Sequence, residues 1–337
     1  MPTNLPNLPA GDMLALIKDL PYQARESLTI GAEIVIRDPI ENILITGMGG
    51  SAIAGSVLQS ICYNDKIPIT VCRGMALPGW AGEKTLVIVI SYSGDTDETL
   101  SMYTDATRKK CKILAVASGG KLARLAKQDG LPLVTVPRGL PPRGALGYLL
   151  IPMLAILCRS HLVDEDHLDG FDHVVGVLER AAYSTSAQNL AKRIGKSIPL
   201  IYSTPRLEGV GLRWKTVLNE NSKVPAFANT MPEVAHNEIL TFGNTKIPFH
   251  AVMLRDERDT LQMKRRIEAL KTLLRAKGVQ VTDIEIKGTS NLSKIMSAVH
   301  LGDFVSYYLA EENGVDPLSV RTIDEYKAMV RKAEGTK

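Results

Sequence analysis

The stretch Glu41-Asn-Ile-Leu-Ile-Thr-Gly-Met-Gly-Gly-Ser-Ala-Ile-Ala-Gly55 joins a short apolar run to three closely spaced glycines. The apolar run predicts a buried strand, and the small residues after it predict a turn that opens into a helix. Gly47, Gly49 and Gly50 let backbone amides approach a ligand closely, and a helix N-terminus adds a favourable dipole for an anion. The stretch therefore predicts an anion-binding turn between a strand and a helix.

A second turn of the same kind follows the apolar run at 85–91. Three hydroxyl groups cluster around a glycine in this turn: Ser91, Ser93 and Thr96 beside Gly94. Hydroxyls can donate to phosphate oxygens together with the amides of the next helix. The alternative is that a polar side chain of the turn only caps that helix. Two such turns in one sheet favour a shared site for a single phosphate group.

The first turn also matches the dinucleotide-binding pattern G-x-G-x-x-[GA] through Gly47, Gly49 and Ala52. That interpretation requires a ribose-binding carboxylate about 20 residues further on, at the end of the next strand. The sequence there is Val71-Cys-Arg-Gly74, which contains no carboxylate, so Arg73 is the remaining route to a nucleotide 2′-phosphate. The pattern favours a small phosphate ester over a nicotinamide cofactor.

Apolar runs and helical patterns alternate along the rest of the chain, which is typical of βαβ units that build a parallel sheet. The predicted strands are 42–46, 67–73, 85–91, 112–116, 133–136, 199–203, 249–254 and 281–285. A polar stretch at 161–172 and a predicted helix at 174–195 separate the two groups of strands. We therefore expect an α/β fold with two domains, 1–185 and 186–337, each a mainly parallel sheet flanked by helices in three layers. A last amphipathic segment, 322–332, should dock by one face.

The composition of the chain limits the binding partners and the cellular compartment that we expect for it. The chain has 337 residues, of which 45% are hydrophobic and 23% charged, and a net charge of +4 without a long basic block. A net charge of this size produces too weak an electrostatic field to indicate nucleic acid or an anionic membrane as the main partner. The longest apolar stretch, 145–158, is interrupted by Pro152 and is shorter than the roughly 20 residues of a membrane-spanning helix. Because residues 1–11 do not resemble a secretion signal, we expect a cytoplasmic protein.

Metal and hydrolase sites are not predicted. The four cysteines contain no C-x-x-C spacing, which argues against disulfides and structural zinc. His161, His167 and His173 recur every six residues among acidic residues, but six residues advance a helix by about 600°, so the three would point in different directions. We interpret that segment as solvated. The order of residues in 47–51 also differs from the G-x-S-x-G pattern of hydrolases.

The two turns, Gly47-Met-Gly-Gly-Ser51 and Ser91-Tyr-Ser-Gly-Asp-Thr96, resemble the paired phosphosugar loops of the sugar isomerase (SIS) fold. Five further stretches resemble the bifunctional phosphoglucose/phosphomannose isomerases: 137–148, 219–225, 232–238, 312–317 and 323–327. The resemblance covers nearly the whole chain. It implies two SIS domains, a homodimer, sugar phosphates as substrates, and neither a metal nor another cofactor. The implied reaction interconverts glucose 6-phosphate and mannose 6-phosphate with fructose 6-phosphate through a cis-enediol.

The resemblance also assigns residues to the substrate phosphate and to proton transfer. Four hydroxyl residues and two glycines would hold the phosphate: Ser51, Ser91, Ser93 and Thr96, with Gly49 and Gly50. Glu220, in the stretch Asn219-Glu-Asn-Ser-Lys-Val-Pro225, would be the base that moves a proton between C2 and C1. Taken without the resemblance, Glu220 is an ordinary glutamate near the end of a helix.

Three further side chains complete the predicted site. Arg143, in a constrained turn between a proline and a glycine, is our candidate to stabilise the enediolate, with Arg138 as the second choice. His236 would open the sugar ring, and the family places this histidine in the site of the neighbouring subunit. Lys327 corresponds to a family lysine thought to assist at the ring oxygen. Without the resemblance, Arg143 and Lys327 are typical solvated residues.

Two alternatives retain the phosphate loops with another function. One is an amino-sugar phosphate isomerase, and the other is a non-catalytic phosphosugar sensor. A sensor of this fold usually carries a DNA-binding module, but the roughly 40 residues before the first strand are too few and too rich in proline for a helix-turn-helix domain.

Overall fold

The computed structural model describes residues 11–180, 183–243, 246–286, 288–333 and 335. Residues 1–10, on which most of the expectation about a secretion signal depends, lie outside this range. The predicted α/β class is confirmed, since two sheets made of parallel strands are flanked by helices. No helix in the described ranges is long and apolar enough to cross a membrane.

The first sheet follows the predicted pattern closely. Its strands are β1 (Asn42–Thr46), β2 (Ile69–Cys72), β3 (Thr85–Ile90), β4 (Lys112–Ala117) and β5 (Leu133–Thr135). The helices of this half are α1 (Met13–Lys18), α2 (Leu20–Ser27), α3 (Gly49–Ile61), α4 (Asp97–Arg108), α5 (Gly120–Gln128) and α6 (Leu146–Arg159). The strand order is β2-β1-β3-β4-β5. Because the chain leaves β1 in one direction for β2 and returns to its other side for β3, the carboxyl ends of β1 and β3 flank the crevice where ligands bind such sheets.

The second sheet has four parallel strands. They are β6 (Ile198–Ser203), β7 (Phe227–Thr230), β8 (Phe249–Asp256) and β9 (Gln280–Ile286), in the order β7-β6-β8-β9. The helices are α7 (Phe171–Arg180), α8 (Tyr183–Ile194), α9 (Glu208–Glu220), α10 (Leu261–Ala276), α11 (Asn291–Asn313) and α12 (Arg321–Ala333). The helix predicted at 174–195 corresponds to the helical residues of α7 and α8, and residues 181–182 between them lie outside the described residues. The division into domains near residue 185 stays a prediction.

Apolar side chains cover both faces of each sheet. Along β1, Ile43 and Ile45 point into a core that also contains Ile201 and Val252 of the second sheet, while Leu44 packs with α4 and α5 on the opposite face. A third cluster covers the other face of the second sheet with α10. All six residues of β3 are buried, as expected for a central parallel strand.

Two expectations about the chain's surface were wrong. The amphipathic helix α12 does not dock by one face on the rest of its own chain, because it buries none of its residues there and Tyr326 and Met329 are 66% and 70% exposed. The polar stretch 161–172 is only partly solvated, since Leu162 and Val163 are buried in the central core. Helical or strand periodicity reflects only one element at a time and cannot place these segments against distant residues.

Candidate active site

The two predicted phosphate loops meet at the carboxyl ends of β1 and β3. The amide of Tyr92 donates to Oγ of Ser51 at 3.1 Å, which joins the second loop to the first. Within the second loop, Oγ of Ser91 donates to Oγ1 of Thr96 at 3.1 Å and accepts from the amide of Gly94 at 3.1 Å. The hydroxyls of both loops are therefore gathered between the N-termini of α3 and α4, where helix dipoles favour an anion.

The other predicted residues of the two loops are two glycines at the start of α3 and one hydroxyl residue in the second loop. Gly49 and Gly50 form the first turn of α3, and Ser93 is exposed with its Oγ accepting from the amide of Asp95 at 3.3 Å. Gly94 has a φ of +79°, and a Cβ there would lie 1.8 Å from the Gly119 carbonyl oxygen. Only glycine fits this position, because both the backbone conformation and the close approach exclude a side chain.

The turn that carries Arg143 packs directly against the first loop. Arg143 lies in the 3-10 turn Pro142–Gly144, and a Cβ on Gly50 would lie 2.8 Å from the Arg143 backbone nitrogen. The side chain of Arg143 is 3% exposed, and its Nη1 lies 3.6 Å from Oε2 of Glu220. Arg143 therefore connects the anion-binding loop with the predicted base.

Some N–H groups of the Arg143 guanidinium bond to the protein, and the others face the site. Nε donates to Oδ1 of Asn221 at 2.8 Å, and Nη2 donates to the carbonyls of Pro317 and Leu318 at 2.7 and 3.2 Å. In the part of the chain that the structure describes, Nη1 has Glu220 as its partner. Burial lowers the pKa of the Arg143 guanidinium, and the nearby Glu220 partly offsets this. The two Nη1 hydrogens are thus available to negative charge at the site.

Arg143 is held by a closed chain of hydrogen bonds, which we call the buried ring: Arg143, Asn221, Ser306, Asp303 and Arg213. Nδ2 of Asn221 donates to Oγ of Ser306 at 2.9 Å, and that hydroxyl donates to the Asp303 carbonyl at 2.7 Å. The Asp303 carboxylate accepts two bonds of 2.8 Å from Arg213, whose Nη2 donates back to the Arg143 carbonyl at 2.7 Å. All five residues are at most 5% exposed, so the ring fixes both the backbone and the guanidinium of Arg143.

Glu220 ends α9 with its side chain 26% exposed, so its carboxylate is open to solvent. Lys223 lies beside it and donates to the carbonyls of Glu220 and, at 2.8 Å, Ser319. Burial lowers the pKa of Lys223, and the charge of Arg143 lowers it further. Lys223 therefore adds a second cation to the edge of the site.

The structure brings the two loops, Arg143 and Glu220 together, and in the described ranges it shows no hydrogen bond or ion pair between these groups and the other three predicted residues. His236 is exposed in the 3-10 turn Glu233–His236 after the edge strand β7, and Lys327 is exposed on α12. Neither side chain has a hydrogen-bond or ion-pair partner among the described residues. Arg138, the second choice for enediolate stabilisation, donates to the Ser118 carbonyl at 2.6 Å beside the second loop.

Sequence reasoning missed the residues that support Arg143. Asn221, which supports Arg143, and Lys223, which lies beside Glu220, are both in the sequence motif that carries Glu220, so that motif could have indicated them. Arg213, Asp303 and Ser306 lie on α9 and α11 and pair across up to 90 residues. No local spacing in the sequence indicates such a pairing.

Known proteins and one family model are similar to this chain over most of its length or over its second half. The family model for the bacterial phospho-glucose isomerase C-terminal SIS domain matches residues 184–330. The bifunctional phosphoglucose/phosphomannose isomerase of Caldicellulosiruptor bescii is 39% identical over 332 residues, which cover 94% of this chain and 98% of that protein. The D-glucosamine-6-phosphate 4-epimerase of Sulfolobus acidocaldarius is 33% identical over 216 residues, or 62% of this chain and 67% of that protein.

A solved structure supports the fold independently. The crystal structure of a hypothetical protein from Thermus thermophilus matches with a TM-score of 0.74 at 18% identity, covering 95% of this chain and 90% of that one. At this identity the likeness shows the fold alone. The identity to the C. bescii protein over almost the full length of both chains shows more: this chain belongs to the family of bifunctional phosphoglucose/phosphomannose isomerases.

Proposed function

We propose that this chain interconverts glucose 6-phosphate and mannose 6-phosphate with fructose 6-phosphate by acid/base proton transfer. The observation that carries the proposal is the placement of Arg143 Nη1, 3.6 Å from Oε2 of Glu220 and against the first turn of an anion-binding loop. A base and a cation at one end of a phosphate-binding crevice suit a reaction that moves a proton next to a carbonyl group.

The phosphate of the sugar would bind between the two loops. The amides at the start of α3 and the hydroxyls of Ser51, Ser93 and Thr96 would supply donors there, and the α3 dipole favours the negative charge. Ser91, whose hydroxyl donates to Oγ1 of Thr96, would orient the Thr96 hydroxyl. Binding the phosphate would fix one end of the opened sugar, so that C1 and C2 reach Glu220. This positioning lowers the entropic part of the barrier.

The chemical step would proceed through a cis-enediol. The Glu220 carboxylate takes the proton from C2, the C2–H electrons form the C1=C2 double bond, and the carbonyl π electrons move to O1, which gains a proton. The O2 hydroxyl then loses its proton to form the C2 carbonyl, and the double-bond electrons take the proton from Glu220 at C1. Substrate and product are isomers, so no group or electron is left over.

Arg143 would stabilise the charge that develops on O1 and O2. Its Nε and Nη2 hydrogens are bound by Asn221 and by two backbone carbonyls, so Nη1, on the side of Glu220, would be the donor for the reacting oxygens. A donor fixed in this way stabilises the transition state more than the neutral carbonyl. Serving both C2 epimers with one base would require the opened sugar to rotate about its C2–C3 bond, so that either face of C2 meets Glu220.

Ring opening would require a second copy of the chain. His236 follows β7, the edge strand of the second sheet, and the exposed apolar residues Phe227 and Tyr326 lie on β7 and α12. A homodimer that covers these surfaces would place His236 in the site of the partner, as the family resemblance implies. Lys327, on α12, would then assist at the ring oxygen.

A coupled spectrophotometric assay tests the proposal. Purified protein is supplied with glucose 6-phosphate or mannose 6-phosphate in excess EDTA, and the formation of fructose 6-phosphate is followed. We expect turnover of both substrates and a fall of about 10²- to 10⁴-fold in both rates for Glu220→Gln. Glu208→Gln, at the exposed start of the same helix, is the matched control and should retain both activities.

The outcomes separate the alternatives. If neither hexose phosphate is isomerised while fructose 6-phosphate still raises the melting temperature, the chain is a phosphosugar-binding protein without this chemistry. The relative named as a D-glucosamine-6-phosphate 4-epimerase makes glucosamine 6-phosphate the substrate to test next in that case. If only one of the two hexose phosphates reacts, the dual specificity fails and the isomerase assignment stands.

A further inference from the structure

A cluster of three different metal-binding side chains lies at the end of α3 that is remote from the phosphate loops. Cys62 caps the C-terminus of α3, Asp65 lies in the turn before β2, and His167 lies in the 3-10 turn Glu165–Leu168. One ligand atom from each residue lies within 4.8 Å of the other two. We propose that Cys62, Asp65 and His167 bind one divalent transition-metal ion, with zinc as the best fit.

The helical spacing of the three histidines in this region excludes only a site built from the histidines themselves. His161 and His173 are both exposed and do not join the cluster. His167 instead meets residues about a hundred positions earlier, because the segment between α6 and α7 packs on the end of α3. Nε2 of His167 lies 3.0 and 2.9 Å from the two carboxylate oxygens of Asp65.

The ligand set matches the chemistry of zinc. Thiolate sulfur, imidazole nitrogen and carboxylate oxygen are its usual protein ligands, and three protein ligands leave a fourth position for water. Tetrahedral ligands at about 2.0–2.3 Å from the ion are roughly 3.3–3.8 Å from one another. The three atoms of the cluster are already within 4.8 Å, so side-chain adjustments of about 1 Å would close the site.

A divalent cation would also balance the charge of this buried cluster. Cys62 is 5% exposed, and the side chains of His167 and Asp65 are 12% and 7% exposed. When the ion binds, the Cys62 thiol loses its proton to solvent and a sulfur–metal bond forms. The thiolate and the Asp65 carboxylate then balance the two charges of the ion, so the loaded site is neutral and suits a buried position.

The site has an entrance and a supporting bond. Cys62 and Asp65 line an open groove of about 270 Å³, which gives the ion and a water ligand a path from solvent. The amide of Asp164 donates to Oδ2 of Asp65 at 3.2 Å, which helps to orient the carboxylate. A bound ion would tie the turn after α3 to the segment between α6 and α7 and thereby stabilise the folded state.

The proposed site is separate from catalysis. The 13 residues of α3 span about 20 Å, with the first phosphate loop at one end and Cys62 at the other. Removal of metal by EDTA should therefore leave isomerase activity intact while it lowers the melting temperature. This difference allows the metal site and the proposed function to succeed or fail independently.

Cobalt binding to the full-length protein tests the proposal, because Co²⁺ replaces zinc and reports its ligands by absorption. Protein stripped with EDTA and desalted is titrated with Co²⁺ and, separately, with Zn²⁺. We expect one ion per chain, a near-ultraviolet charge-transfer band from thiolate to cobalt, intense visible bands of tetrahedral cobalt, and a higher melting temperature with either ion.

Matched variants locate the site. Cys62→Ser should abolish the charge-transfer band, and His167→Gln should weaken binding by about tenfold or more. Cys111→Ser, a buried cysteine in another core cluster, and His161→Gln, an exposed histidine of the same segment, should behave as the wild type. Circular dichroism of the metal-free variants establishes that they are folded. A cobalt spectrum without the thiolate band, or wild-type affinity in the folded His167→Gln protein, would overturn the proposal.

Discussion

Nε of Arg143 donates a 2.8 Å hydrogen bond to Oδ1 of Asn221, a residue 78 positions later in the chain. Asn221 directly follows Glu220, and Nη1 of Arg143 lies 3.6 Å from the Glu220 carboxylate. One residue at the end of α9 therefore orients the cation, while its neighbour is the proposed base. The proposed catalytic geometry therefore depends on Asn221, although Asn221 has no role in the predicted proton transfer.

We therefore expect Asn221→Ala to lower kcat for both hexose phosphates with a smaller change in KM. A hydrogen bond to a charged group contributes about 1.5–3 kcal/mol, which corresponds to roughly a 10- to 150-fold loss if the guanidinium is no longer held for the transition state. Steady-state kinetics measure the split between kcat and KM. Asn219→Ala, two residues earlier on α9, is the control, and an equal loss in that variant would argue for a general disturbance of the helix end.

The ion pair between Arg213 and Asp303 should contribute mainly to stability. Both side chains are buried, at 3% and 8% exposure, so Asp303→Asn leaves the charge of Arg213 without its counter-ion. We expect a loss of about 3–5 kcal/mol in the free energy of unfolding, measured with urea. Glu325→Gln removes the acid of an exposed pair with Arg321 and should change stability little. Similar stability of the two variants would contradict the role given to the buried pair.

Because the first loop packs closely against the Arg143 turn, we expect the activity to be sensitive to substitution of Gly50. A Cβ at Gly50 would lie 2.8 Å from backbone atoms of Pro142 and Arg143, so Gly50→Ala must push the two segments apart. A displacement of this size at a phosphate-binding loop should lower kcat/KM by about 10- to 100-fold. Gly74→Ala, where a Cβ would meet open space, should keep full activity. Full activity in Gly50→Ala would show that the contact does not position the site.

The pH dependence of stability should carry a contribution from Asp19. Burial raises the pKa of its carboxyl to about 6, a hydrogen bond from Gln23 opposes this, and Glu26 raises it further. Between the unfolded value of 3.8 and about 6, the folded chain binds the extra proton, so this group's contribution to stability falls as the pH rises through that interval.

Asp19→Asn should remove that slope and make the protein more stable than the wild type at pH 7, because the amide cannot ionise. Urea unfolding at pH 5 and pH 7 measures the difference. Asp38→Asn, at an exposed pair with Lys112, is the control and should keep the wild-type slope. An unchanged slope in Asp19→Asn would show that another group titrates in this range.

The fold and the phosphate loops could be predicted because their signals are local. A run such as Thr85–Ile90 is apolar on both faces, which is typical of a central parallel strand, and the turn after it carries its own hydroxyls. The strand β7 was missed because Phe-Ala-Asn-Thr has only four residues, of which two are polar. It forms at the edge of the sheet by pairing with β6, and that partner is not visible in the local pattern.

The site was predictable only where a motif carried it. Glu220 and Arg143 were named as members of one site with the loops and do lie beside each other, although their roles stay predictions. The buried ring depends on Asp303 meeting Arg213 across 90 residues, which local spacing does not indicate. The same limit applied to His167, whose partner Asp65 lies 102 residues away.

His236 is exposed in the single chain, and no hydrogen bond or ion pair joins it to Glu220 among the described residues. If His236 acts in the partner's site, a dimer of one Glu220→Gln subunit and one His236→Gln subunit contains one intact site and one site that lacks both groups. Such a heterodimer, purified through two different tags, should show about half the wild-type activity, while each parent homodimer is nearly inactive. If His236 acts in its own chain, every site of the heterodimer lacks one group and activity is not restored.

A second heterodimer provides the matched control. Glu220 and Arg143 contact each other within one chain at 3.6 Å, so a dimer of Glu220→Gln and Arg143→Lys subunits lacks one group in each site. It should stay as inactive as its parents, which excludes recovery by simple mixing or subunit rescue. Recovery in both heterodimers, or a wild-type protein that sediments as a monomer, would contradict a site shared between two copies of the chain.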